Sequence, residues 1–305
     1  MKKFIMYADS FTVEDQQLFD PESKAYNLLE CKKMNLKIPD TLIITQQGFA
    51  YYMRYGVISA EIISALQEFI KKNNSNRPAA FAVRCGDKNK HKKLPQTIIH
   101  VGITDAYIKF YEKNIVSENL ALFYQQIERV KKHVPYEFSW DSCIQERQMS
   151  KFDTITQCLY IIELMYQAFH QLMQEGVHLE DNSIIVQPMI LTNLDKRSCY
   201  GTAYTRNPYT GEEMDYGQYV LSKQGVEANL MPDELWKDMS ELETDIPNIY
   251  DELKNTLKDI ETYYRDIRFV EFVVQSGKLY FTQLSKRNRV YFKEIFDPDP
   301  NLSNP

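Results

Sequence analysis

Two residues in this sequence, Glu271 and Gln283, stand where a carboxylate and an amide could act together. They lie in RFVEFVVQSGKLYFTQ (268–283), where two runs rich in Val, Phe, Tyr and Leu flank Ser276-Gly277, the pattern of a β-hairpin. Glu271 sits between Val270 and Phe272, and a carboxylate within an apolar run is costly unless it is paired or bound to a metal. Alternation along a strand puts Glu271, Val273, Phe281 and Gln283 on one face if the turn takes three residues. A two-residue turn puts Glu271 and Gln283 on opposite faces, and the pattern leaves both open. On one face they would be oxygen ligands suited to Mg²⁺ carrying the phosphates of a nucleotide. On pattern alone, an edge hairpin whose Glu271 faces water is the stronger reading.

Two cations could complement such a site. Ser23 reads as the N-cap of a helix over 24–34, with Ala25, Leu28 and Leu29 at helical spacing. Lys24 then falls in the first turn, where free backbone amides favour an anion. Arg84 closes the apolar strand AAFAVR (79–84), where its guanidinium could fork onto a phosphate. Each has a plainer alternative, a solvated lysine and a salt-bridged rim arginine, and taken singly these are preferred. The loop after Arg84 carries Lys88, Lys90, His91, Lys92 and Lys93. It reads as a basic flap over phosphates or, more simply, as a solvated turn.

The bulk composition frames these candidates. With 305 residues the chain can bury a sizeable core as one multi-lobed unit or two domains. A net charge of −6 argues against non-specific binding to nucleic acid or to a membrane surface. The 5 cysteines are scattered, with no CxxC pair, which suits reduced thiols in a cytoplasmic setting. The opening MKKFIMYADSF has an apolar run too short for a signal peptide, and no run has transmembrane length. The glycines form neither a GxGxxG motif nor a P-loop.

Along the chain, strands are expected at 3–7, 38–45, 79–84 and 97–103, with helices at 47–55 and 59–71 between them. Residues 105–176 read as mainly helical, with Ile155, Leu159, Ile162, Tyr166, Phe169 and Met173 as a core-facing stripe and Trp140 packed beside it. Beyond lie strands at 182–189 and 201–205, expected to be neighbours, a turn-rich loop from Arg206 to Glu212, a strand at 216–221 and a helix after Pro247. The tail DPDPNLSNP is expected to be disordered.

Several of these stretches together resemble the N-terminal nucleotide-binding part of the pyruvate phosphate dikinase family, with phosphoenolpyruvate synthase more distant. They are SKAYNLLE (23–30), IPDTLIIT (38–45), FAVRCGD (81–87), TIIHVGITD (97–105), IIVQPMI (184–190), YGTAYTRNPYTGE (200–212), KQGVEANL (223–230) and VEFVVQSGKLYFTQ (270–283). The resemblance implies an α+β ATP-grasp fold in which ATP lies between two lobes around a helical insertion. It divides the chain into a first lobe (1–106), a helical subdomain (107–180), a second lobe (181–296) and a tail (297–305). It implies ATP and Mg²⁺ as ligands. Lys24 and Arg84 would hold phosphates, Glu271 and Gln283 would hold metal and phosphate, and Gln187 and Met189 would line the adenine pocket. Arg206, in the TRNP loop, would have a structural or phosphate-related role.

Departures from the family pattern accompany the matches. Glu22-Ser23 stands where the family has a Gly-Gly pair, and KNKHKKLPQ replaces a glycine- and methionine-rich loop. Phe269 replaces an aspartate and Ser285 an arginine, while Val226 replaces an acidic residue. Lys92 and Lys93 are then candidates to supply catalytic charge that Ser285 does not. None of the 5 histidines lies in a sequence like the family's phosphorylated histidine, and the phosphohistidine and pyruvate domains are not expected here. The implied activity is phosphoryl or pyrophosphoryl transfer from ATP to an acceptor, a small molecule or a separate protein. The alternatives are a catalytically degenerate nucleotide sensor or regulatory subunit, and an interaction domain with no nucleotide.

Overall fold

Two five-stranded sheets, antiparallel at every pairing, carry the fold. The computed structural model describes residues 3–87, 96–131, 134, 148–179, 181–224 and 235–286. Lys92, Lys93, Trp140, Val226 and the 297–305 tail lie outside the described residues.

The first half of the chain runs β1 (Ile5–Tyr7), α1 (Val13–Gln16), α2 (Lys24–Lys33), β2 (Leu42–Ile44), α3 (Gln46–Tyr55), α4 (Ala60–Asn73), β3 (Phe81–Cys85) and β4 (Thr97–Val101). Helices α5 (Asp105–Phe110), α6 (Lys113–Lys131) and α7 (Thr154–Gln174) follow, and β5 (Ile184–Pro188) completes the first sheet in the order β1-β2-β5-β3-β4. The expected helix starts hold for a local reason: the hydroxyls of Ser23 and Ser59 accept the backbone amides of Tyr26 and Ile62. In β3 alternation sends Phe81, Val83 and Cys85 into a core shared with α4, α6 and α7, which leaves Ala82 and Arg84 on the opposite face.

Helix α7 is buried more widely than one stripe. Tyr160, Ile161, Leu164, Met165 and Ala168 are buried along with Ile162, Tyr166 and Phe169. Ile155 and Leu159 sit at the margin, and Met173 is 50% exposed. The helix is enclosed by α3, α4 and the first sheet, so a single-sided amphipathic reading undercounts its contacts.

The second sheet has the order β10-β9-β6-β7-β8. Its elements are β6 (Cys199–Tyr204), β7 (Tyr216–Leu221), β8 (Lys237–Asp238), α8 (Leu242–Asp245), α9 (Pro247–Tyr264), β9 (Arg268–Gln275) and β10 (Lys278–Lys286). One face packs Val270, Phe272, Val274, Ala203 and Phe281 against Leu253, Leu257 and Ile260 of α9. The expected pairing of 182–189 with 201–205 does not form. Instead β5 inserts between β2 and β3 of the first sheet, while β6 lies between β7 and β9 of the second. Both segments are apolar enough to be central strands, and strand composition does not specify which sheet a strand joins. Among the described residues no helix is long and apolar enough to cross a membrane.

Candidate functional site

The hairpin resolves its own ambiguity in a third way. Ser276 (φ 51°) and Gly277 (φ 75°) both occupy the left-handed region, which makes a two-residue turn whose twist suits the strands. Pairing runs regularly to Phe281 opposite Phe272, then skips to Gln283 opposite Glu271, so Thr282 is an extra, bulged residue. Directly opposed residues of antiparallel strands project to the same side. Glu271 and Gln283 therefore share a face after all, despite the short turn. Glu271 also lies opposite Thr202 of β6, on the face turned away from α9.

Arg84 comes to this hairpin from the other sheet. Its side chain is 9% exposed, and its Nη1 donates to the main-chain oxygen of Thr282 at 2.8 Å and to Gln187 Oε1 at 3.3 Å. Its Nη2 lies 3.9 Å from Glu271 Oε2. A buried guanidinium demands such partners, since charge removed from water must recover its hydration. Gln187 Nε2 donates in turn to Thr41 Oγ1 at 2.9 Å, and Thr41 donates to the Pro39 carbonyl at 2.7 Å. Both ends of the Gln187 amide are thus used, one by Arg84 and one by Thr41. Met189 is held by its amide on the Ala80 carbonyl, and its side chain joins Ala82, Ile99, Leu122, Val220 and Trp236. That apolar cluster draws on both sheets.

Lys24 opens α2, and its Nζ donates to Gln96 Oε1 at 2.6 Å. Its backbone amide donates to the Gly86 carbonyl and the Tyr26 amide to Ser23 Oγ, so two of the first-turn amides expected to face an anion already have acceptors. Arg206 donates to the Gly211 carbonyl at 3.0 Å and pairs with Glu261 of α9, which ties it to its own loop and the helix.

The departures from the family pattern also find their places. Phe269 lies directly opposite Ser285 in the hairpin. Phe269 is buried and edge-on to Tyr204 at 5.2 Å. Lys286 reaches Glu22 at 3.5 Å, an exposed pair of small energetic value.

Two buried carboxylates were not singled out in the sequence. The Asp181 amide donates to Asp87 Oδ2 at 3.4 Å, and Asp181 Oδ1 accepts the Ser183 amide at 2.8 Å. Burial pushes the Asp181 carboxyl above the usual carboxylate range, with the neighbouring Asp87 adding to the effect. Gly86 makes this packing possible, because a Cβ there would lie 2.2 Å from Ser183 Oγ and 3.0 Å from the Asp181 carboxylate. Burial also pushes the adjacent Cys85 thiol up to about 12, so it is inert.

No family model matches the chain. Pyruvate, phosphate dikinase of Clostridium symbiosum is 24% identical over 325 residues, which cover 87% of this chain and 37% of that protein. The enzyme of Rickettsia conorii is 23% identical, covering 90% and 38%, and the chloroplastic enzyme of Flaveria pringlei is 22% identical, covering 85% and 33%. The chain thus spans about a third of the length of these relatives. Among solved structures, D-alanine–D-alanine ligase of Helicobacter pylori aligns over 87% of this chain and 53% of its own with a TM-score of 0.30 and 11% identity. That superposition is too loose to locate a residue.

Proposed function

From a chain related in sequence to the pyruvate, phosphate dikinases, with an α+β architecture of the ATP-grasp kind, we propose a protein that binds Mg-ATP between its two sheets. It transfers a phosphoryl or pyrophosphoryl group to an acceptor. One observation carries the reading. Arg84 of the first sheet and Glu271 of the second meet at 3.9 Å, so a phosphate-binding cation and a metal-binding carboxylate converge from opposite sides.

The donor set fits a hard divalent cation. Glu271 offers a carboxylate and Gln283 an amide oxygen, and among the described residues no group of three His, Cys, Asp or Glu side chains provides a closed metal cage. Mg²⁺ commonly takes one or two protein oxygens and completes its shell with phosphates and water. Bound there, it would neutralise charge on the transferring group. Arg84 would hold the polyphosphate from the first sheet, and Lys24 would reach it by exchanging its Gln96 contact for a phosphate oxygen. Met189 and its apolar neighbours would take the base. Catalysis of this type consists mainly of positioning and fixed charge, which these residues supply without a general base.

A second reading, a nucleotide sensor without turnover, draws support from the Lys24 region. There the first-turn amides of Lys24 and Tyr26 already have acceptors, and Glu22 stands beside them, paired with Lys286 at 3.5 Å. Incubation of the pure protein with Mg-ATP and candidate acceptors, followed by nucleotide analysis, separates the two. AMP or ADP above the no-protein control supports transfer; unchanged ATP in a protein that binds it supports the sensor.

A further inference from the structure

The bulge at Thr282 brings with it a residue that strand pairing does not need. Phe281 pairs with Phe272 and Gln283 with Glu271. In a regular antiparallel ladder the residue following Phe281 would itself oppose Glu271. Removing Thr282 would therefore leave Gln283 in its place and every other pair of the hairpin in register. Its side chain contributes little: among the described residues Oγ1 makes one long contact, donating to the Glu271 carbonyl oxygen at 3.5 Å. What the extra residue adds is one further main-chain carbonyl, and that carbonyl accepts Arg84 Nη1 at 2.8 Å across the gap between the sheets. Bulges bend a strand and re-aim its groups in this way.

We propose that Thr282 is a positioning residue for the nucleotide site, acting through its main-chain oxygen on Arg84. The proposal rests on the nucleotide reading above. A guanidinium is a rigid planar fork, so fixing one nitrogen orients the rest. With Nη1 held by Thr282 and by Gln187 Oε1, Nη2 lies 3.9 Å from Glu271 Oε2, the carboxylate that would hold the metal. The bulge thus joins the cation of one sheet to the metal side of the other at a fixed spacing, and the phosphates meet a preorganised fork.

The test is a cycle of Thr282 deletion and Arg84→Ala, with Thr282→Ala as the control that keeps the bulge. Calorimetry measures Mg-ATP and adenosine, and urea unfolding is run on the same proteins. Thr282→Ala should bind Mg-ATP as wild type does. The deletion should weaken Mg-ATP about tenfold, leave adenosine unchanged, and cost nothing further once Arg84 is alanine. Unchanged Mg-ATP affinity in the deletion, or an equal loss in the Arg84→Ala background, overturns the proposal. If wild type binds no Mg-ATP, the function proposed above falls. The unfolding cycle then decides the Thr282–Arg84 link alone: coupled losses support it and additive losses overturn it. Should the deletion not fold, an ester linkage following Thr282 weakens the same carbonyl as an acceptor at constant chain length and replaces it in every arm.

Discussion

Replacing Glu271 by glutamine should damage ligand binding far more than folding, and the structure sets the scale. At 3.9 Å from Arg84, an effective dielectric near 20 gives an attraction of about 4 kcal/mol. Desolvating two charges opposes this with several kcal/mol, so the net contribution of such a pair to stability is small. Glutamine keeps the volume and a carbonyl acceptor for the guanidinium, and Arg84 retains Thr282 and Gln187. The unfolding free energy should therefore fall by no more than about 1 kcal/mol. Metal-dependent binding loses the carboxylate that Mg²⁺ favours, a penalty expected at about a hundredfold in the Kd of Mg-ATP, or about 2.7 kcal/mol. Urea unfolding and calorimetry on the same preparations measure the two quantities. A loss of stability above about 3 kcal/mol with Mg-ATP binding intact would refute the reasoning and make Glu271 a structural residue.

Three further outcomes are expected. His100 is fully buried at φ 63°, and burial holds its pKa down at about 3. Below the unfolded value of about 6.5 the unfolded chain takes up a proton that the native imidazole refuses, so stability falls with acidification and the cost at pH 5 is about 2 kcal/mol. His100→Asn, which tolerates the left-handed backbone and does not titrate, should flatten urea-measured stability between pH 7.5 and pH 5 by that amount, and an unchanged slope refutes the assignment. Gly86→Ala must displace Ser183 or Asp181, and should lower stability by about 1–3 kcal/mol in the same assay; a neutral result would contradict the tight packing. If Lys92 and Lys93 act only in the transition state, changing both to alanine should leave ATP affinity unchanged while turnover drops about a hundredfold, and equal turnover removes them from the mechanism.

The candidate residues of the site were legible as oddities, because strands make misplaced charge conspicuous, although pattern alone favoured a water-facing Glu271 and a rim Arg84. Glu271 in an apolar run and Arg84 ending an apolar strand break the local pattern, and such breaks point to partners elsewhere in the fold. Their meeting was not legible, since it depends on which sheet β5 joins and on how the two sheets face each other. Nor was the hairpin register. Turn length predicts whether Glu271 and Gln283 share a face only when pairing is regular, and the bulge at Thr282 supplies the missing residue within the strand. Gln187 entered only through the family resemblance, and the bridge its amide makes between Arg84 and Thr41 had no signal in the sequence. The contacts of Thr282 and Gly86 are made by or against backbone, and a single sequence has no marker for a main-chain acceptor.

If the two sheets bring a phosphate-binding arginine and a metal-binding carboxylate to one nucleotide, as proposed, its binding depends on both Mg²⁺ and Arg84. Calorimetric titration of the intact protein with ATP, in Mg²⁺ and then in EDTA, tests it most directly. Binding should saturate in Mg²⁺, weaken at least tenfold in EDTA and weaken again with Arg84→Ala. Absence of binding under both conditions, or binding indifferent to both the metal and Arg84, would contradict it.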